Sequence, residues 1–164
     1  MAELTNLESK LGEVTGLAMA AKAATTTVAK LAREEHEDLV PLLERMHEEA
    51  GVTEERCTEL AGSFDGKKTA ILEEARSTKE KAASMLEIYL DEESDALDGF
   101  EFLTMAEAGE VGHWEVLGQL AKAAGRREVT ELVIWALPIQ QRHFETVRTV
   151  SARLAASEDP NEES

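Results

Sequence analysis

Cysteine is almost absent. Cys57 is the single one in 164 residues, so no intramolecular disulfide can form and a reducing compartment suits the chain. Proline occurs three times, and no run alternates β-branched with aromatic residues, so the usual signals of a sheet are missing. Basic residues are scarce: 17 Lys and Arg stand against 34 Asp and Glu, a formal charge of −17. Such a surface repels phosphate, so neither nucleic acid nor anionic membrane is expected as a partner. No apolar run approaches the roughly 18–20 residues of a membrane span. The opening MAELTNLESKLGEV lacks a basic stretch followed by an apolar one, so no signal peptide is read there and a cytoplasmic location is expected. There is no glycine-rich phosphate loop, no CxxC pair and no Ser-His-Asp order, which leaves nucleotide and nucleophilic chemistry without support.

What is present is helix-forming. Ala, Glu, Leu and Lys are plentiful and the apolar fraction is 43%, ordinary for a chain that buries a core. The fold class read from this is all-α. A single helical domain is expected over 1–156, followed by an acidic flexible tail at 157–164. The apolar spacing predicts a first helix over 4–24 (Leu4, Leu7, Leu11, Val14, Ala21), broken by Thr25-Thr26-Thr27. A second helix is expected over 27–50, bent by Pro41 and stopped by Gly51. Residues 52–66 read as a connection in which Thr53 can start a short helix carrying Cys57 and Leu60. Residues 68–92 are again helical, with a possible interruption at Ser77. Two long helices follow, over 95–124 and 128–156, separated at Gly125; Pro138 bends the last.

The most informative stretch lies in the helix over 95–124. Phe100, Leu103, Glu107, Glu110, Trp114 and Leu117 advance by three or four residues and share one face. That face is apolar at both ends and doubly acidic in the middle, with His113 on its flank. Burying two bare carboxylates costs several kcal/mol each unless they are paired, protonated or bound to a cation. A metal ion resolves the conflict; so does an open face, or a Lys or Arg from a neighbouring helix. His36, with Glu35 beside it, borders the buried face of the second helix, and His143 falls on the apolar line of the last. His47 is expected at the surface, and Cys57 as a small core residue.

Three strings carry a resemblance: AAKAATTTVAKLAREEH, ERCTELAGSFDGKK and EAGEVGHWEVLGQLAKAAG. Together with the helix order, they resemble the ferritin-like superfamily, most closely its YciF-like stress-protein branch. The resemblance implies a four-helix bundle with a long helical crossover between helices two and three. It also implies one or two metal ions, iron or manganese with zinc as a further option, and a link to stress or oxidant handling, with self-association open. Carried over residue by residue, Glu107 and Glu110 are the third-helix carboxylates, His36 the second-helix histidine and His143 the fourth-helix histidine. Glu35 and His113 are substitutes for absent ligands. The sequence departs from the pattern in three places: Gln140 stands where a glutamate precedes His143 by three, Arg33 stands three before His36, and Lys10 stands where the first helix would supply an acid. A metal-free bundle acting as an interaction scaffold is the alternative.

Overall fold

The computed structural model describes residues 2–163, which are all-helical, with five α-helices and no strand among them. They are α1 (Asn6–Ala32), α2 (Val40–Ala61), α3 (Lys68–Tyr89), α4 (Ala96–Ala124) and α5 (Arg127–Ala155). No helix is long and apolar enough to cross a membrane among the described residues.

Several boundaries differ from the sequence reading. The threonine triplet does not break α1. The hydroxyls of Thr25, Thr26 and Thr27 donate back to the carbonyls of Ala21, Lys22 and Ala23, at 2.8, 3.0 and 3.2 Å, and the helix continues to Ala32. The break comes at 33–36, before a 3-10 turn at Glu37–Leu39. Pro41 does not bend a helix: it lies in the first turn of α2, where a missing N–H leaves no bond unmade. Gly51 does not stop α2, which runs on to Ala61 through most of the expected connection. Ser77 does not interrupt α3. By contrast, α4 begins and ends on strong signals. Asp95 and Asp98 form a reciprocal capping box, and Gly125 closes the helix in the left-handed region at φ 65°. Pro138 lies inside α5.

Helix α1 is central, packing along α2, α3 and α4, while α4 and α5 pair with each other. The apolar core is in two parts. One holds Val28, Leu39, Leu43, Met46, Phe100, Leu103, Val147 and Val150. The other holds Leu11, Val14, Cys57, Ile71, Trp114, Leu117, Val129 and Ala136. Four helices cross from one part to the other: α2 and α4 from the first to the second, α1 and α5 in the opposite sense. Helix α3 takes the chain back, from Ile71 in the second part to Leu86 against the first.

The α1–α3 contact depends on two glycines. A Cβ on Gly12 would lie 2.8 Å from the Ile71 carbonyl oxygen, and one on Gly16 would lie 2.2 Å from that of Ala75. The backbones approach this closely only because neither position has a side chain. Beyond Gly16 the two helices leave space between them.

Candidate metal centre

The gap between the two core regions is polar. On α4 it holds Glu107 and Glu110, between Leu103 and Trp114; on α5 it holds Gln140 and His143, between Ala136 and Val147. All four are enclosed, at 1%, 3%, 1% and 3% exposure. The acidic stretch of α4 is therefore buried, and the open-face explanation for it does not hold. Nor does pairing with a base: neither carboxylate meets a Lys or Arg among the described residues, and the one ion-pair partner is His143, whose Nδ1 is 3.7 Å from Glu107 Oε2. Burial, together with the charge of Glu107 beside it, pushes the Glu110 carboxyl well above its ordinary range.

Gln140 lies between the two acids, and its side-chain Nε2 donates to Glu107 Oε2 at 3.0 Å and to Glu110 Oε2 at 3.1 Å. Each buried carboxyl thereby has one donor from α5.

His143 links this layer to the outside. Its Nε2 has no hydrogen-bond partner and stands 3.5 Å from Glu49 Oε1 on α2. Glu49 is half-buried and is gripped by Arg142 and, at 3.1 Å, by Arg45. Burial alone would raise the Glu49 pKa; the hydrogen bond from Arg142 and the charges of His143 and Arg142 outweigh it and lower the value. Trp114 Nε1, one turn beyond Glu110, is also buried without a partner. Cys57 belongs to the core, as expected. Burial pushes its thiol up to about 12, the Thr15 contact opposing and the charges of Glu110 and Glu54 adding to the rise, so it is no nucleophile at neutral pH.

The other candidate residues lie elsewhere. Glu35 is exposed in the turn after α1, and His36 precedes the 3-10 turn there, its backbone N–H donating to the Ala32 carbonyl at 2.8 Å. Neither is on a helix face directed at the acid pair, because the helix expected to carry them is broken at that point. His113 faces α1, with Nδ1 3.2 Å from Lys10 Nζ and 3.3 Å from Glu13 Oε2. His47 is not a surface residue: it is half-buried, its Nδ1 2.9 Å from the Lys22 carbonyl oxygen. Trp135 is half-buried at the flank of α5 under the Arg56 guanidinium, while Ala136 and Gln140 take the inward positions.

Among the described residues, no three His, Cys, Asp or Glu side chains close into a metal-binding group. The third group at the acid pair is an amide, and the imidazole is one turn away. Glu49 was missed from sequence. Its signal is the line Met46, Glu49, Thr53, Cys57, which appears only when α2 is continued through Gly51. Searches against protein-family models, curated proteins and solved structures found no match to this chain.

Proposed function

We propose that this protein binds a divalent transition-metal ion in its central polar layer, within a ferritin-like bundle formed by α1, α2, α4 and α5, with α3 as the crossover. The observation that carries this reading is the enclosed acid pair, Glu107 and Glu110 at 1% and 3% exposure, with no Lys or Arg against either among the described residues and with His143 Nδ1 3.7 Å from Glu107 Oε2. Two carboxylates and the imidazole of His143, one turn along α5, suit iron, manganese or zinc, and Gln140 would turn its amide oxygen toward a bound ion. Iron or manganese bound there would supply one-electron chemistry toward oxygen or peroxide, in keeping with the family resemblance. The chain's own part is to exclude water, hold the acids ionised against the ion, and orient His143 through Glu49 and Arg142. The direct test is elemental analysis of protein purified without chelator, with calorimetric titration of manganese and zinc. Near-stoichiometric metal, lost in Glu107→Gln/Glu110→Gln, is expected; trace metal and no binding heat would end the proposal.

A second reading is favoured by the Gln140 amide. There the amide takes the place of an ion, burial pushes the Glu110 carboxyl above its ordinary range, and the bundle is a metal-free interaction scaffold. It predicts that added metal leaves the thermal midpoint where it was.

A further inference from the structure

The space that opens between α1 and α3 beyond Gly16 is a cavity of about 330 Å³, closed on its third side by α4. It is at the small end of ligand pockets, which run from about 300 to 1,000 Å³. Its walls are small and apolar: Ala20 and Ala24 from α1, Ala82 and Leu86 from α3, Leu103 and Ala106 from α4. Met85 and Met105 also line it, and both are exposed, as flexible apolar side chains that can adapt to a guest. Glu107 and Glu110 line it as well, more than nine-tenths buried and with no Lys or Arg against either among the described residues. Lys79 and His113 are the cationic groups along its walls; His113 is already engaged by Glu13 and Lys10.

An apolar cavity that reaches two buried acids with no Lys or Arg against them complements a molecule with an aliphatic body and one cationic end. We propose that this cavity binds a medium-chain primary alkylamine, its chain along the alanine-lined walls and its ammonium against the Glu107–Glu110 pair. The desolvated acids favour a cation over a neutral head, and the walls reward chain length. The inference rests on the same acid pair as the metal reading but not on the metal; where both ligands bind, they compete.

The test is calorimetry with hexylamine, octylamine, decylamine and octanol on metal-free protein, repeated with manganese present. Affinity should rise about fourfold per added methylene until the cavity is full. Octylamine should bind at least roughly tenfold more tightly than octanol, as one desolvated charge pair allows. Glu107→Gln/Glu110→Gln should erase that preference while octanol still binds, which shows the variant folded. Ala82→Phe and Ala20→Phe, on opposite walls, should each weaken both ligands. Equal affinity for amine and alcohol in the wild type, or amine binding indifferent to both phenylalanines, overturns the proposal. If manganese fails to bind while the amine preference holds, the metal reading alone falls. Manganese binding without an amine preference removes this inference alone.

Discussion

Replacing Gln140 by Glu separates the two accounts of the polar layer, because the substitution has opposite consequences in them. In metal-free protein it deletes the only amide that can donate to the acid pair. Two hydrogen bonds to carboxyl acceptors are lost, at about 1.5–3 kcal/mol for a charged acceptor and about 0.5–1.5 kcal/mol for a neutral one. The new carboxyl enters beside two others and must be protonated, at about 1.4 kcal/mol for every unit its pKa rises above the unfolded value. The sum is on the order of 4 kcal/mol, and for a chain of this size that lowers the thermal midpoint by roughly 8–16 °C. With an ion in the layer the same change adds a third anionic oxygen where an amide oxygen stood. Binding at a hundredfold excess over the dissociation constant returns about 2.7 kcal/mol to any variant, and more to the one that binds more tightly. Scanning calorimetry of wild type and Gln140→Glu, in chelator and in manganese, should show a wide gap in the first and a narrower one in the second. A gap of equal width in both conditions would remove the ion from the layer. No gap in either would mean that the buried amide has no energetic role, and the reasoning from burial itself would be wrong.

Three further outcomes follow from the same geometry. The Glu110 carboxyl sits above its ordinary value of 4.5 in the fold, so its stabilising share is complete below that value and is lost as pH rises through the folded one. Metal-free wild type should therefore lose urea stability between acid and neutral pH, and Glu110→Gln should flatten the curve; a parallel slope in the variant would refute the assignment. Glu49 behaves in the opposite sense: its pKa is lowered, so its share is present above its ordinary range and fades as pH falls, and Glu49→Gln should be least damaging in acid. Gly16→Ala should destabilise by about 1–3 kcal/mol, since the new methyl meets the backbone of α3 and overpacking outweighs the helix gain of about 1 kcal/mol. Gly109→Ala, where a Cβ meets nothing within 4 Å, should stabilise, and equal effects at the two sites in chemical denaturation would contradict the packing argument.

The line Phe100, Leu103, Glu107, Glu110, Trp114, Leu117 was legible because a long uninterrupted helix gives its periodicity time to register, and the structure buries all six. His143 was legible for the same reason. The first two helices were misjudged at local signals that tertiary structure reinterprets. Threonine hydroxyls can cap a helix or bond back within it, and here all three bond back, the exposed Thr26 as well as the packed Thr25. Proline reads as a bend in the middle of a pattern and as an ordinary first-turn residue at its start. Placing the break at Thr25 rather than at 33–36 put His36 on a helix face it does not occupy, and stopping α2 at Gly51 hid Glu49. No single-residue signal shows that Gln140 faces both acids, because that depends on how α4 and α5 are set against each other.

Helix α3 is held unevenly. Its buried residues are Ala70, Ile71 and Ala75, all in its first third, and its far end exposes Met85, Ile88 and Tyr89. Little apolar area is hidden beyond the glycine contact, so releasing residues 79–89 costs a small fraction of global unfolding. Their amides should exchange with solvent through local opening while those of α4 and α5 wait for the whole domain. The protein is in this sense two cooperative units of unequal strength, and the weaker one forms a wall of the cavity that reaches Glu107 and Glu110. Guest entry then has a rate set by the loosening of one helix end, and a bound guest slows exchange there first.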